Sequence, residues 1–213
     1  MIRWDVIQGN LPLIATKLVE HLALTIVAVG VGLVISAATV LVVGERRPLV
    51  GPVTGFFSLL YTIPSLALLA FLVPITRLSF LTAEIALVSY TLFILTRNLL
   101  AGLASVPTDA LEAADAMGYG RLRRLFQVEL PLALPLIVAG IRIATVTTIG
   151  LVMVTALIGF GGLGQVMLRG YNFRNDTLVL VGFVLTVALG LVADLGLGWL
   201  GRAITPWSRA RVS

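Results

Sequence analysis

Few residues in this chain could carry chemistry, and they lie far apart along the sequence. With no cysteine and a single histidine, His21, the sequence excludes disulfides, thiolate metal sites, cysteine nucleophiles and multi-histidine metal centres. Glu84 and Asp194 are the acids that lie within long apolar runs, well apart from His21. An enzyme that works inside a membrane needs such groups clustered at one depth. We therefore predict no catalytic residue and no metal site.

A glycine-rich stretch, residues 159–164, has the composition of a phosphate-binding loop. It lacks the Lys-Ser/Thr ending of a Walker motif, so we predict no nucleotide site in it. We expect instead a turn or re-entrant segment with close backbone packing, in which Gly159, Gly161, Gly162 and Gly164 help to form an outer gate.

The elements that position these residues follow from an apolar composition. Of 213 residues, 59% are hydrophobic and 12% are charged, and the mean hydropathy is +1.07. Soluble domains carry about 25% charged residues, so a soluble enzyme with one packed core is excluded. We assign the net charge of +5 to membrane topology rather than to a nucleic-acid partner.

Five apolar runs each reach about the 20 residues that a membrane-spanning helix requires. They are rich in Leu, Val, Ala and Ile and lack the alternation of barrel strands, so the predicted fold is an all-α membrane protein. The length of the first run and the acids ahead of it predict a retained helix rather than a cleaved signal peptide. The predicted spans are residues 21–43, 51–75, 81–100, 132–157 and 177–200 of a single domain, 1–213.

The basic residues beside these runs predict the orientation of the chain, because cytoplasmic loops carry an excess of Lys and Arg. One side would hold nine such residues, namely Arg46, Arg47, Arg97, Arg121, Arg123, Arg124, Arg202, Arg209 and Arg211. The other side would hold five, namely Arg3, Lys17, Arg77, Arg169 and Arg174. We expect the C-terminus and the 101–131 loop in the cytoplasm, and the N-terminus outside.

Arg142 and Asp194 lie well inside predicted spans four and five, at similar depths from the same side. An unpaired charge at that depth is costly, so we predict an intramembrane Arg142–Asp194 ion pair that faces the interior of the bundle. The pair could hold the two spans together, or it could contribute to the path of a solute.

The second run contains a group of residues that could line such a path. Tyr61, Thr62, Pro64 and Ser65 lie near its middle, where proline interrupts the helical hydrogen bonds. Such breaks are tolerated where the backbone faces protein or a water-filled cavity, so they indicate either a packing kink or a pore lining. Tyr90 in span three could add an aromatic face for a cation.

The loop of residues 106–130 between spans three and four begins with the signals of a short helix. Asp109, followed three residues later by Glu112, predicts a capped helix start. Gly118 stands where that helix would stop in a left-handed turn.

The same loop continues with the pattern of a second short helix. Leu122, Leu125 and Phe126 would share one face of it, with three arginines on the others. Pro131 suits the first turn of the helix that follows. These signals alone also fit an amphipathic linker that lies on the membrane surface and binds anionic lipid.

The order of residues in this loop resembles the E-A-A loop of ABC importer permeases. The matching residues are Glu112, Ala113, Ala114, Gly118, Leu130 and Pro131, with the family's spacing intact. Glu129 stands where the family sometimes has a branched residue. The resemblance implies that these six residues belong to a coupling segment, whose helix docks into a groove on an ATPase subunit.

Further segments resemble one branch of that family, the permeases for glycine betaine, choline, carnitine and related osmoprotectants. They are residues 61–68, 97–103, 129–135, 140–145 and 156–164. Methionine permeases share the Ile-Pro and Gly-Gly-Leu-Gly features, so methionine is the alternative substrate.

The resemblance implies a multi-pass protein of the bacterial inner membrane that binds no cofactor itself. Two permease subunits, identical or paralogous, would line a path, and an ATPase dimer would bind ATP and Mg²⁺ beneath them. A separate extracytoplasmic protein would deliver the solute and hold the tight aromatic cage, because the chain ends about 13 residues after Leu200. The rivals from other classes are an intramembrane enzyme and a passive channel, which needs no coupling loop.

Overall fold

The computed structural model describes residues 3–44 and 47–207, and this part of the chain contains helices and no strand. The prediction of an all-α fold is confirmed. The helices are α1 (Trp4–Gly9), α2 (Leu11–Val43), α3 (Arg47–Thr62), α4 (Ser65–Thr76), α5 (Phe80–Ala104), α6 (Thr108–Ala116), α7 (Arg121–Arg124), α8 (Leu130–Thr155), α9 (Leu163–Asn172) and α10 (Asp176–Ile204). A π-helical turn, Leu125–Glu129, joins α7 to α8, and a 3-10 turn, Ala156–Ile158, follows α8.

Within the described residues, four helical stretches are long and apolar enough to cross a membrane: α2, α5, the stretch Arg121–Ile158 and α10. The pair α3 and α4 is the fifth candidate, and its two helices are bent by 92° at the break between them. The apolar run at 51–75 is therefore two helices rather than one. Arg46, Arg209 and Arg211, three of the residues counted for orientation, lie outside the described residues.

The break between α3 and α4 is fixed by Pro64 and by a contact from α5. Pro64 has φ −57° and ψ 132°, an extended conformation, immediately before α4 begins. A residue before proline is driven away from helical angles, so α3 ends at Thr62. The hydroxyl of Tyr90 on α5 donates to the carbonyl of Ile63 at 2.5 Å. This bond satisfies a backbone group that the break exposes.

Two helices, α5 and α8, form the centre of the bundle. Ala83 on α5 and Ala133 and Ala144 on α8 are fully buried, and such small residues allow helix backbones to approach closely. Helix α2 covers both, with Leu24 and Ala28 in the core formed with α5. Helix α10 packs against α8 and α9 and is the most exposed of the four long stretches.

Candidate functional site

Helix α6 carries the Glu-Ala-Ala sequence and ends as the sequence predicts. Gly118 follows the helix with φ +76°, a left-handed conformation that favours glycine. The amide of Gly118 donates to Asp115 at 2.9 Å, and the amide of Tyr119 donates to Ala114 at 3.0 Å. This pair of bonds is the Schellman motif, which satisfies the last carbonyl groups of a helix.

The predicted start of α6 is wrong. The residue that caps the helix is Pro107, with φ −60° and ψ 137°, and no side chain caps it. Asp109 lies inside the first turn instead, where its carboxylate interacts favourably with the helix dipole. Proline at the cap already fixes the direction in which the chain enters the helix, and a capping box needs a Ser, Thr, Asp or Asn there.

Helix α6 presents one face to solvent and the opposite face to the bundle. Glu112 and Ala113 are exposed, and Met117 just beyond the helix is 65% exposed. Ala114 is fully buried, and Leu111 packs against a core cluster that includes Val106. A short helix with small residues, three exposed acids and an exposed methionine just beyond its end can be accepted by a groove on another protein.

Helix α6 is tied to the start of α8 by one arginine. Arg124 Nη1 donates to both carboxylate oxygens of Asp115 at 2.8 Å. Arg124 Nε donates to Glu129 Oε1 at 2.9 Å. The sequence analysis assigned Arg124 to topology and lipid contact and missed this bridge, which joins two carboxylates nine residues before and five after it. The available signal for this bridge in the sequence was the position of Arg124 between two acids, Asp115 and Glu129, with the glycine turn after Asp115.

The predicted second short helix begins at Arg121, as α7, but it continues into α8 instead of ending within the loop. Helix α7, the π-helical turn and α8 form one continuous stretch, Arg121–Ile158. Pro131 lies at the start of α8, where its missing amide hydrogen costs little. Leu122 and Phe126 are 70% and 62% exposed. The π-helical turn therefore absorbs the change from the loop to the long helix without a break.

The predicted path residues surround the break between α3 and α4, but they differ in their exposure and in their hydrogen bonds. The Tyr61 ring lies 5.8 Å from the Tyr90 ring, edge to face, and 4.9 Å from the Phe93 ring. Tyr90 is 5% exposed, so its ring offers no open face. Thr62 donates to Leu59 in its own helix at 2.7 Å. Pro64 is exposed and Ser65 is partly exposed. Tyr61 is the predicted path residue that combines an aromatic ring with an exposed side chain, since 38% of its surface is exposed.

The structure brings Arg142 and Asp194 together. Arg142 Nη2 lies 2.8 Å from each carboxylate oxygen of Asp194, and Nε lies 3.0 Å from one of them. The two side chains are 37% and 40% exposed in the single chain. They lie beside a groove of about 780 Å³ between α8 and α10. The pair thus opens onto a groove rather than into the closed interior that we expected.

The glycine-rich stretch is held against α2 at the other end of α8. The Gly162 amide donates to Glu20 Oε1 at 3.1 Å, and the Leu163 amide donates to His21 Nδ1 at 3.3 Å. His21 Nε2 lies 3.1 Å from the Ile149 carbonyl and must donate to it, since a carbonyl oxygen only accepts. His21 is therefore a neutral, fully buried connector.

Gly162 is the point at which this stretch approaches α2 most closely. It has φ +50°, and a Cβ atom at this position would lie 2.5 Å from the His21 Cβ. The sequence analysis predicted close backbone packing here but did not identify Glu20 and His21 as its partners. The adjacent acid and histidine at the start of the first apolar run were the available signal.

The acidic and histidine side chains of the described residues do not gather into a metal site. No group of three or more such residues that could hold a metal ion occurs there. Glu84 is 6% exposed, and neither of its carboxylate oxygens has a hydrogen-bond partner within this part of the chain. Asp194 pairs with Arg142, and His21 is occupied on both ring nitrogens.

The fold and the exposed α6 helix define a class of protein, the helical membrane subunit of a transporter. A model of the binding-protein-dependent transport system inner membrane component matches residues 28–206. The chain belongs to this family.

Relatives within the family indicate the branch of the family that this chain resembles. OpuCD of Bacillus subtilis, a glycine betaine/carnitine/choline transport system permease protein, is 35% identical over 88% of this chain and 82% of its own length. The carnitine transport permease protein OpuCD of Listeria monocytogenes is 32% identical over 97% and 93%. The osmoprotectant import permease protein OsmW of Salmonella typhimurium is 34% identical over 92% and 94%. The predicted resemblance to osmoprotectant permeases is confirmed.

Solved structures show the same fold. The MetNI methionine ABC transporter in an inward-facing conformation matches with a TM-score of 0.82 and 26% identity, over 92% of this chain and 98% of that one. An amino acid ABC transporter matches with a TM-score of 0.79 and 18% identity, over 95% and 99%. The chain is a transport subunit with several membrane helices.

Proposed function

We propose that this chain is the membrane subunit of an ATP-driven importer of osmoprotectants such as glycine betaine, choline or carnitine. The observation that carries the proposal is α6, a short exposed helix bearing Glu112 and Ala113 and joined to α8 through Arg124. The names of the relatives support the substrate class, since they import glycine betaine, carnitine, choline or osmoprotectants.

In this proposal the chain performs no bond chemistry and works with three kinds of partner. An ATPase dimer binds ATP and Mg²⁺ and docks on α6 of each of two permease subunits, which are identical or paralogous. A separate binding protein delivers the solute on the opposite side of the membrane. ATP binding draws the two α6 helices together, and the Arg124 bridge passes that movement to α8.

The proposed topology has five spans, if α3 and α4 together count as one, with a cytoplasmic C-terminus and an external N-terminus. The excess of basic residues beside α6 supports it. The chain crosses the bacterial inner membrane, with Leu130 and Pro131 at the cytoplasmic end of α8. Gly159, Gly161, Gly162 and Gly164 then lie at the outer end.

The proposed translocation path passes Tyr61, Thr62, Pro64 and Ser65 at the helix break, with Tyr90 holding the break in place. The exposed Tyr61 ring and the helix break at Pro64 support this placement. The Arg142–Asp194 pair holds α8 to α10 and lines the neighbouring groove.

The second candidate is the same role for methionine, and the match to the methionine transporter favours it. Uptake into proteoliposomes separates the candidates. We expect the chain, assembled with its ATPase and binding protein, to accumulate radiolabelled glycine betaine only when ATP is supplied. Uptake of methionine alone supports the second candidate. Flux that does not depend on ATP indicates a passive channel and overturns the proposal.

A further inference from the structure

A second groove, of about 430 Å³, lies between α3 and α5. Its polar lining consists of Thr54 and Ser58 on α3 and of Thr96 and Arg97 on α5. It is distinct from the groove beside Arg142. A groove of this volume, with a few convergent polar groups on apolar walls, is typical of a site for a small molecule.

Arg97 is an exposed cation without an acidic partner. Among the described residues, no carboxylate lies within ion-pair distance of it, and its guanidinium lies 5.8 Å from the centre of the Phe93 ring. A guanidinium has five donors in a planar fork that matches a carboxylate or a phosphate. The groove therefore has an unpaired group that favours an anion.

Thr96 adds a second unpaired group to the same wall. It is 1% exposed, and its hydroxyl has no hydrogen-bond partner in the described part of the chain. Buried hydroxyls are normally paired, and the other buried threonines of this helix illustrate the rule, because Thr91 donates to the Val88 carbonyl at 2.8 Å. An oxygen ligand in the groove would give Thr96 the partner that it lacks.

The opposite wall is kept open by glycine. A Cβ atom at Gly51 or at Gly55 would meet nothing within 4 Å. The two lie four residues apart, on one face of α3, so at these two positions no side chain narrows the groove. Farther along the groove the walls become aromatic, with Phe93 and, 4.9 Å from its ring, Tyr61.

We propose that this groove binds the carboxylate of a small zwitterionic solute, with Arg97 and Thr96 as its principal partners. The inference rests on the proposed function and names the substrate chemistry of the path. Phe93 lies one helical turn from Arg97 on α5, and its ring centre is 5.8 Å from the guanidinium, so a solute whose carboxylate binds Arg97 can extend towards this ring. The aromatic end suits a methylated ammonium group. One exposed cation and one hydroxyl hold the solute weakly enough for release.

The absence of cysteine from the chain permits a direct test. Ser58→Cys places the only thiol of this subunit in the groove, and Thr54→Cys is a second reporter should the first fail to assemble. The rate at which a water-soluble maleimide modifies this thiol is measured in the assembled importer in maltoside detergent. We expect glycine betaine to slow modification about tenfold when its concentration is ten times its Kd. Choline, which lacks a carboxylate, leaves the rate unchanged.

Three further variants sharpen the result. Adding Arg97→Gln to Ser58→Cys abolishes the protection. Adding Thr96→Val weakens it without loss of thermal stability, since that hydroxyl has no bond to lose. Thr147→Cys, in the groove beside Arg142, is the matched control and shows no protection.

Three outcomes overturn the inference. Glycine betaine gives no protection, choline protects as well as glycine betaine does, or phosphatidylglycerol protects the thiol and glycine betaine does not. The last outcome identifies the phosphate of a lipid headgroup as the occupant. Uptake by the unmodified importer is measured in parallel. ATP-driven uptake without protection contradicts this inference alone, whereas protection without ATP-driven uptake contradicts the proposed function alone.

Discussion

The two ends of α8 are held in opposite ways. Helix α8 has 26 residues, so its ends lie about 39 Å apart. At the Leu130 end, Arg124 bridges two carboxylates, and its own side chain is 30% exposed while that of Asp115 is 54% exposed. At the Thr155 end, the fully buried His21 connects α2 to two backbone groups.

This difference distinguishes a joint that can move, at the Leu130 end, from a fixed joint at the Thr155 end. Exposed ion pairs are individually weak and can be remade when their partners shift. Buried hydrogen bonds to backbone groups have no substitute in water, so breaking them leaves unpaired groups. The Leu130 end is therefore suited to docking and movement, and the Thr155 end to holding the bundle together. The following substitutions test this division, and the largest effect comes first.

Gly162→Ala should be the most damaging change. The new Cβ lies 2.5 Å from that of His21 at a positive φ, so the two segments must separate. We expect a loss of about 3 kcal/mol of stability, from backbone strain and overpacking together. The melting temperature of the purified chain measures it. Gly30→Ala, on α2, has nothing within 4 Å and is the control. Equal melting temperatures for the two variants would contradict the fixed joint.

His21→Leu keeps the volume but removes both hydrogen bonds. It leaves the Leu163 amide buried without its partner and removes the additional donor to the Ile149 carbonyl. We expect a loss of about 2 kcal/mol. Thr25→Val is the matched control on α2, because the Thr25 hydroxyl only donates to the carbonyl of residue 21 in its own helix. A melting temperature unchanged by His21→Leu would show that the hydrogen bonds of His21 do not stabilise the fold.

Gly118→Ala should have a smaller effect on stability and a larger one on coupling. A side chain at φ +76° costs about 1 kcal/mol, and relief of that strain turns the end of α6. We expect more ATP hydrolysed per solute imported, with normal amounts of protein in the membrane. Gly120→Ala is the control, since Gly120 has φ −66° and open space around it. Normal coupling in the Gly118 variant would remove the proposed role of this turn.

Arg124→Gln should barely change the melting temperature, because its ion pairs are partly exposed. It should raise the ATP cost of uptake, since α6 loses its tie to α8. Combining it with Asp115→Asn should add little to the effect of either change, because both break one bridge. Arg123→Gln is the control, as Arg123 donates to Gln127 and lies over the Tyr119 ring. Additive effects of the first two changes would contradict the bridge.

The sequence predicts the membrane helices and the end of α6 because both depend on residues close together in the chain. Apolar runs define α5 and α10 within a few residues, and the turn at Gly118 follows from local backbone geometry. The start of α6 was mispredicted because Pro107 sets the chain direction before Asp109 can cap the helix.

The contacts that distinguish the two ends of α8 could not be predicted. The contact of His21 with Leu163 spans 142 residues, and no pattern in one sequence marks such a pair. The Arg124 bridge is local, yet it depends on a π-helical turn that composition does not reveal. The Arg142–Asp194 pair was predicted because an unpaired charge within an apolar run is costly. Its exposure to a groove depends on how α8 and α10 pack.

Cross-linking from the two ends of α8 shows which end contacts the ATPase subunit. Met117→Cys and Tyr171→Cys each place a single thiol at a site that is 65% and 76% exposed, beside α6 and on α9. A photoactivatable cross-linker is attached to each thiol in the assembled importer. The account predicts that Met117→Cys captures the ATPase subunit and that Tyr171→Cys does not. Capture of the ATPase from Tyr171→Cys, or from neither position, would contradict it.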